Sequence, residues 1–532
     1  MTETGPPAAA GAARRRPAPG GGATGAPVLW ILLFGLLIPA FSQGGWDALS
    51  GTVLWLTGLS AVAVALAAWL TRRVGGGVPL AAVIMTWLAA AGLAALSGAD
   101  REAARAAWLT VAAGASLYAL CSAWADGQAV GDLAAAWALA GAAVAAVAIF
   151  QAISGHEPVA TLVNPNVLAH WLLFPAGFVW MFLREDKRPA WKICAVLIAG
   201  GLAVTRSWSV MGALVAACVW QSGRTPLAIG LWGAGAAGAV LALPRSLADR
   251  FVWWDAAVRI FAGHPWLGVG PGGFGGAYLA YKTVPGRNSL FAHSAPIEIL
   301  SETGLTGFLA WGLFVGLMLL AAWRARDSVS PYRRAAAISL VASTLAGLTD
   351  ASLSCPAVVV SWWIAAAILL RREVPLESRP PLPAPVRRGL AWVAGVSVAV
   401  LGWGLVQPLR AAVARALAES HMASGAVEPA RAAARLAVRL DPQSWRARAV
   451  LAETDVAAGM TLAALRDLDE AGARSVYQAE IPWRQAVLWN TLGDREQELA
   501  ALRRAIARHR HRADFHAAMS RIHAARGEAA RP

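Results

Sequence analysis

The chain has 532 residues, of which 57% are hydrophobic and only 14% are charged, and its mean hydropathy is +0.52. These values exclude a single soluble domain, because a soluble core needs more polar surface around it. Lys and Arg number 46 against 31 Asp and Glu, which gives a net charge of +15. The basic residues stand in short loops between apolar runs, so they indicate membrane topology and argue against nucleic-acid binding.

Residues 1–26 are rich in Ala, Gly and Pro and include three consecutive arginines. Such a segment cannot bury enough apolar surface to fold, so we expect a disordered cytoplasmic tail. The apolar run that follows has no small-residue cleavage site after it, and more apolar runs come later. It is therefore predicted to be a retained membrane helix and not a signal peptide.

Residues 27–407 contain repeated apolar runs, many of them near the length that a bilayer requires, about 20 residues per helix. The pattern predicts an all-α fold, a polytopic transmembrane bundle of about 12–13 spans. The predicted spans are 28–42, 48–70, 78–97, 104–125, 131–153, 166–183, 189–205, 207–222, 226–243, 296–323, 333–350, 355–370 and 389–407.

Positive charge recurs in alternate loops, at 72–73, 187–188, 224, 324–334 and 371–388. An excess of Lys and Arg is typical of loops on the cytoplasmic side. If the N-terminus is cytoplasmic and the number of spans is odd, the long loop 244–293 lies on the outer side. The same reasoning places everything after Gln407 outside.

The segment 408–532 has an internal period of 34 residues. Small residues recurring at this spacing resemble tetratricopeptide repeats, in which they let two helices pack closely and glycine makes the turn. The large aromatic residue that usually stands early in each repeat is missing. We predict stacked helix pairs that bind a protein partner; an Ala-rich helical tail without a binding role is the alternative. The positions are Gly425, Gly459, Gly493 and Gly527; Ala418, Ala452 and Ala486; and Ala437, Ala471 and Ala505.

An amphipathic helix is predicted in the long loop 244–293. One face is apolar, which suits a helix that lies at a membrane surface. Arg250 falls at the edge of this apolar face, whereas Arg259 falls on the polar face, so the two side chains are expected to point to different targets. The apolar positions are Leu247, Phe251, Trp254, Val258 and Phe261.

Seven short motifs within residues 150–360 occur in the order typical of one family of membrane enzymes. They are Asn164-Pro165-Asn166, Thr205-Arg206-Ser207, Arg250 with Trp253 and Trp254, His264-Pro265 through Gly268-Val269-Gly270, Ala292-His293, Glu302-x-Gly304 and Thr349-Asp350. As a set they resemble the O-antigen ligase and polymerase superfamily of polytopic glycosyltransferases. One departure is Ser294, where the family often has Asn after the histidine.

The resemblance implies transfer of a glycan from an undecaprenyl pyrophosphate carrier to an acceptor hydroxyl, with no metal or other cofactor. The acceptor alternatives are a lipid A core, a growing glycan and a protein. The enzyme would span the bacterial inner membrane, act at its outer face and hold the repeats in the periplasm. The four cysteines form no CxxC pair and no cluster with histidine, so the residues themselves predict no metal site.

Three residues are candidates for the chemistry. Arg206 and Arg250 are permanent cations that suit the pyrophosphate leaving group, whose negative charge grows as the glycosidic bond breaks. His293 is expected to take the acceptor proton or to orient the hydroxyl, because imidazole titrates near neutral pH. The alternatives are structural: a snorkelling arginine at 206, a headgroup anchor at 250 and a hydrogen-bonded loop histidine at 293.

Four further residues are candidates for substrate binding: Asn164, Asn166, Glu302 and Asp350. The two asparagines are expected to form a cap and a turn that also face the glycan. For Glu302 and Asp350 a structural role, capping a helix or pairing with a basic residue, is the favoured alternative. The competing function is a transporter or transport-associated scaffold. Ionisable residues collect at outer helix ends and not at helix centres, which favours interfacial chemistry.

Overall fold

The computed structural model describes residues 22–70, 73–74, 78–125, 127–186, 188–223, 244–371, 377–378 and 383–525. Within these ranges the chain is mainly helical, and the predicted all-α class is confirmed. Three predictions concern, wholly or in part, residues outside these ranges. They are the span at 226–243, the disordered tail over 1–26, of which residues 1–21 are not described, and Gly527 of the repeat pattern.

The apolar bundle is built from helices before and after the long loop. The first group is α1 (Gly22–Phe41), α2 (Ala48–Leu70), α3 (Ala81–Leu96), α4 (Arg101–Trp124), α5 (Gly127–Ile153), α6 (Pro165–Glu185), α7 (Pro189–Thr205) and α8 (Trp208–Gln221). The loop contributes α9 (Pro244–Gly263) and α10 (Phe274–Tyr281). The second group is α11 (Ala295–Ala325), α12 (Pro331–Gly347), α13 (Pro356–Leu370) and α14 (Ala384–Ala423). Two short strands, β1 (Arg73–Val74) and β2 (Glu377–Ser378), pair antiparallel.

Six helices of the described chain are long and apolar enough to cross a membrane: α2, α4, α5, α6, α11 and α14. Shorter apolar helices stand among them, namely α1, α3, α7, α8 and α13. Every predicted span that falls on described residues coincides with a helix. These helices have the length and composition expected of a multi-pass membrane protein, because a helix satisfies its own backbone hydrogen bonds in lipid.

Small residues allow the bundle helices to approach closely. A Cβ atom at Gly114 of α4 would overlap the Trp363 ring of α13, and one at Gly177 of α6 would overlap the Ser339 side chain of α12. In lipid the hydrophobic effect does not draw helices together, so such close packing supplies much of the stability. The pairs α4 with α13 and α6 with α12 form the centre of the bundle.

The two ends of the bundle can be distinguished along the antiparallel helices α6 and α12. At one end His170 Nε2 lies 2.7 Å from Ser343 Oγ, and at the other Arg334 pairs with Glu185 at 2.8 Å. We call the first end the repeat side, because the repeat domain contacts the helix ends there. At the opposite end arginines lie over tryptophan rings, as is typical of a membrane interface: Arg184 over Trp180, Arg188 over Trp191 and Arg326 over Trp323.

The repeat domain consists of stacked antiparallel helices, as predicted. Helix α14 leads into it without a break through residues 407 and 408, and then come α15 (Val427–Leu440), α16 (Trp445–Ala457), α17 (Thr461–Arg474), α18 (Glu480–Thr491), α19 (Arg495–Arg508) and α20 (Ala513–Ala525). Gly425, Gly459 and Gly493 each have a φ of +76°, which a glycine adopts without strain at the end of a helix. The six alanines of the pattern are at most 2% exposed. The 34-residue period therefore marks the residues that pack between neighbouring helices.

Backbone pairing joins the repeat domain to the turn between α3 and α4. The Val476 amide donates to the Ala99 carbonyl at 2.7 Å, and the Ser475 hydroxyl donates to the Asp100 carboxylate at 2.9 Å. The Ala99 amide in turn donates to the carbonyl of Val269 in the long loop at 2.9 Å. Three segments distant in sequence are therefore connected at the repeat side.

Ion pairs hold the same interface. Arg105 of α4 binds both carboxylate oxygens of Asp441, with 2.9 Å between Nη1 and Oδ1, and Arg446 pairs with Glu102 at 2.8 Å. Paired hydrogen bonds between a guanidinium and a carboxylate restrict orientation as well as distance. The repeats therefore have a defined position over the bundle.

Candidate active site

Helix α9 lies at the repeat side, and part of its apolar face is not covered by the described residues. Phe251 and Val258 are 63% and 54% exposed, whereas Ala256, Ala257 and Ile260 are buried against α10 and α11. An exposed apolar stripe of this kind is typical of a helix at a membrane surface. Burial of the opposite face fixes the helix against α11.

The glycine-rich segment after α9 forms backbone hydrogen bonds with α11 at a point where the helical backbone of α11 is interrupted. The Gly270 amide donates to the Glu302 carbonyl at 2.8 Å, and the Leu305 amide donates to the Pro265 carbonyl at 2.8 Å. The break is at Gly304, which has a φ of 62° and a ψ of −166°. A Cβ atom at Gly304 would overlap the Trp266 backbone. Two motifs of the sequence, His264 through Gly270 and Glu302-x-Gly304, therefore form one backbone interlock.

Glu302 takes part in this interlock. Its Oε1 accepts the amide hydrogen of Phe274 at 3.1 Å, at the first residue of α10. A carboxylate at the N-terminus of a helix satisfies free amides and favours the helix dipole. Glu302 therefore has the capping role that was the favoured alternative, and its contacts do not bring it to His293.

His293 has a strained backbone and two defined neighbours. Its φ is 52°, in the left-handed region that costs a non-glycine residue energy and often marks a functional position. Its ring lies 4.5 Å from the ring of Trp253, measured between centroids. Its Nδ1 is 3.8 Å from Asp350 Oδ1, an ion-pair distance when the imidazole is protonated. The half-buried ring is thus held between α9 and the turn after α12.

Asp350 is buried and well supplied with hydrogen-bond donors. The Ala351 amide donates to Oδ1 at 2.6 Å, and the Ser352 hydroxyl donates to Oδ2 at 3.0 Å. Burial raises the pKa of the Asp350 carboxyl, but the neighbouring histidine rings and the Ser352 hydroxyl outweigh it, so this pKa lies below its usual value. Asp350 is therefore a carboxylate at neutral pH, next to His293.

Arg250 of α9 interacts electrostatically with Asp350. Its Nε is buried and has no hydrogen-bond partner among the described residues, and its guanidinium forms no ion pair with them. Burial lowers the Arg250 pKa, and the Asp350 carboxylate partly offsets this; the group stays charged because arginine does not lose its proton in proteins. We call His293, Asp350, Arg250 and Trp253 the His293 cluster.

Arg259 differs from Arg250 although both are on α9. Its guanidinium is 54% exposed and pairs with Asp255 at 2.9 Å, one turn earlier. The pair raises the Arg259 pKa through the hydrogen bond from its guanidinium to Asp255. Arg259 is thus paired with a carboxylate in solvent, whereas the guanidinium of Arg250 forms no ion pair with the described residues.

Three predicted residues lie at the repeat side but outside the cluster. Arg206 ends α7 with a φ of 53° and is exposed, and within the described chain its side chain forms no hydrogen bond or ion pair. Asn164 caps α6, accepting the Val167 amide at 2.9 Å. Asn166, in the first turn of α6, is half-buried. They share the end of the bundle with His293 without contacting it.

The sequence analysis did not foresee two features of this region. One is the contact between the rings of Trp253 and His293, although Trp253 belongs to a quoted motif. The other is the polar pair of His170 and Ser343, buried between α6 and α12. His170 stands one turn after Asn166, and this spacing was the available signal.

A separate cavity of about 740 Å³ opens at the repeat side. Glu298 and Glu302 line it, but none of the four residues of the His293 cluster does. Across the described ranges, no three His, Cys, Asp or Glu side chains lie close enough together to hold a metal ion. The predicted site residues therefore divide between the cluster, the cavity wall and isolated helix ends.

Comparison with known proteins assigns no family. No family model matches the sequence, and no curated protein matches it. Two crystal structures of MamA are similar in part. One has 17% sequence identity and a TM-score of 0.22, covering 27% of this chain and 81% of that chain. The other has 16% identity and a TM-score of 0.21, covering 26% and 78%. Likenesses of this size carry no conclusion about function.

Proposed function

We propose that the protein is a metal-independent membrane glycosyltransferase of the O-antigen ligase type. It would transfer a glycan from undecaprenyl pyrophosphate to an acceptor hydroxyl. The observation that carries the proposal is the His293 cluster. His293 lies 3.8 Å from the buried carboxylate of Asp350, and the half-buried guanidinium of Arg250, which interacts electrostatically with Asp350, forms no ion pair with the described residues. A charge left without a partner among the described residues suits a ligand of opposite charge.

Arg250 would stabilise the leaving group of this reaction. The bond between the anomeric carbon and the phosphate oxygen breaks, and the electron pair stays on the pyrophosphate. A guanidinium that forms no hydrogen bond to a carboxylate can donate hydrogen bonds to phosphate oxygens. Arg206, exposed at the same end of the bundle, is a second donor for a substrate that extends over α7 and α8.

His293 would act on the acceptor hydroxyl. Its Nδ1 faces Asp350, which leaves Nε2 to take the proton as the acceptor oxygen bonds to the anomeric carbon. Asp350 would stabilise the imidazolium that forms, without accepting the proton itself. Trp253 would hold the ring in place.

The same proposal assigns a location and a partner. Arginines and tryptophans at the end opposite the repeats support a cytoplasmic position for that end, by the positive-inside rule. The repeat side would then face the periplasm of a bacterium, with the enzyme in the inner membrane. The tetratricopeptide-like repeats would bind a protein partner or a protein acceptor.

The test compares two arginines of one helix. In proteoliposomes with EDTA, consumption of an undecaprenyl-pyrophosphate-linked glycan is expected to fall about 10²- to 10³-fold in Arg250→Ala, the effect of losing one preorganised donor. Arg250→Lys is expected to recover only part, since an ammonium cannot form the paired bonds of a guanidinium.

Arg259→Ala is the matched control. It removes an exposed surface pair with Asp255, and exposed pairs contribute little, so activity should stay close to that of the wild type. Equal activity in the Arg250 and Arg259 variants, or a strict requirement for a divalent metal, would contradict the proposal.

A further inference from the structure

The cavity of about 740 Å³ lies between the bundle and the repeat domain. Its inner part is lined by indole rings of the membrane helices, where Trp87 and Trp363 stack with 5.5 Å between centroids. Its outer rim includes Ser444 and Arg446 of the repeat domain. The volume is within the range of roughly 300–1,000 Å³ that encloses a small molecule. The repeat domain therefore covers a chamber that reaches from the membrane helices to the turn between α15 and α16.

The ionisable groups that line the chamber are six carboxyl groups and three guanidiniums. Of three guanidiniums, those of Arg105 and Arg446 are already paired with carboxylates, and that of Arg415 lies 3.8 Å from Glu419. Most of the carboxylates are bound by neutral donors or by these arginines and keep further acceptor sites, since each offers about four lone pairs. They are Asp47, Asp100, Glu102, Glu298, Glu302 and Asp441.

This balance selects the class of ligand. An anionic headgroup would meet mainly carboxyl oxygens, and of the lining guanidiniums only the weakly paired one of Arg415 would be open to it, which is unfavourable. Hydroxyl groups would donate to the carboxylates, and the indole faces would contact the apolar faces of sugar rings or a hydrocarbon chain. We infer that the chamber binds an amphiphile with an apolar chain and a neutral, hydroxyl-rich headgroup such as a glycosyl group. The inference does not depend on catalysis at the His293 cluster.

The test fills the chamber. Gly51 of α2 lines it, and a Cβ there would make only ordinary contacts, the nearest at 3.7 Å from Trp55. Gly51→Trp therefore adds an indole to the cavity. Gly395→Trp on α14 is the matched control, because a Cβ at that exposed glycine meets no atom within 4 Å. Ala412→Trp on α14, which also lines the cavity, serves as the second plug if Gly51→Trp fails to fold.

The readout is native mass spectrometry of the full chain with monoglucosyl diacylglycerol as the probe. We expect one retained glycolipid in the wild type and in Gly395→Trp, and at least about a tenfold loss of occupancy in a folded plug variant. Phosphatidylglycerol is expected to be retained less, and a large excess of free glucose should not displace the glycolipid. Equal retention in plug and control variants would overturn the inference. So would preferential retention of phosphatidylglycerol, or displacement by free glucose.

Discussion

Removal of the Arg105 guanidinium should release the repeat domain from the bundle. Arg105 is the bidentate partner of Asp441, whose side chain is 5% exposed, while Arg105 itself is 32% exposed. In Arg105→Ala the carboxylate keeps the backbone amide of Gln443, at 3.2 Å, and loses its cation. A buried carboxylate without a cation is unfavourable unless it meets water, so the interface is expected to open.

The size of the effect follows from burial. Removing one partner of a fully buried pair costs about 3–5 kcal/mol. Because Arg105 is about one third exposed and Asp441 keeps a neutral donor, about 2–3 kcal/mol is the expected cost here. Since 1.4 kcal/mol is a factor of about ten, the equilibrium for opening should shift roughly 30- to 150-fold.

Amide hydrogen exchange at Val476 measures this opening directly, because its amide donates to Ala99 across the interface. Its exchange should quicken by the same factor in Arg105→Ala, while amides within α5 keep their protection. Arg484→Ala is the control: its pair with Glu453 also joins two helices of the repeats, but both side chains are well exposed. If Arg484→Ala and Arg105→Ala change Val476 exchange equally, or if neither does, the interface does not depend on the buried pair.

Two further predictions concern orientation and acid stability. Cysteines introduced at Gly286 and Gly459 should both react with an impermeant thiol reagent in intact spheroplasts; protection of both would reverse the proposed orientation. Asp350 has a lowered pKa in the folded protein, so it adds stability above its unfolded pKa of about 3.9 and loses it as pH falls through the folded value. The melting temperature of Asp350→Asn should therefore lie below that of the wild type near pH 7 and approach it below about pH 4. A difference that stays constant with pH would show that the ionised carboxylate is not the cause.

The helices and the repeats could be predicted because their signals are local. A membrane helix needs a run of about 20 apolar residues, and six described helices meet this requirement while five apolar helices are shorter. The 34-residue period could be read in the same way, since Gly425, Gly459 and Gly493 end equivalent helices and the alanines between them pack equivalent interfaces. The bounds of α14 could not, because its apolar half and its amphipathic half form one helix through Pro408.

The site could be predicted only in part. His293, Asp350 and Arg250 were chosen from motifs, and tertiary packing brings these three together. Glu302 belongs to the same set of motifs, yet its carboxylate caps α10. No local pattern in the sequence distinguishes a residue of the His293 cluster from a helix cap such as Glu302. The direction of each side chain depends on how α9 and the turn after α12 pack on α11.

The sequence by itself determined the all-α class, the apolar spans and the position of each repeat glycine, because these depend on residues near one another along the chain. The tertiary structure alone decided that the Arg250 guanidinium is half-buried and forms no ion pair with the described residues. It also decided that Arg105 joins Asp441, 336 residues away, and that a chamber forms beneath the repeats. Contacts between distant segments depend on the packing of whole helices, which apolar length and period do not specify.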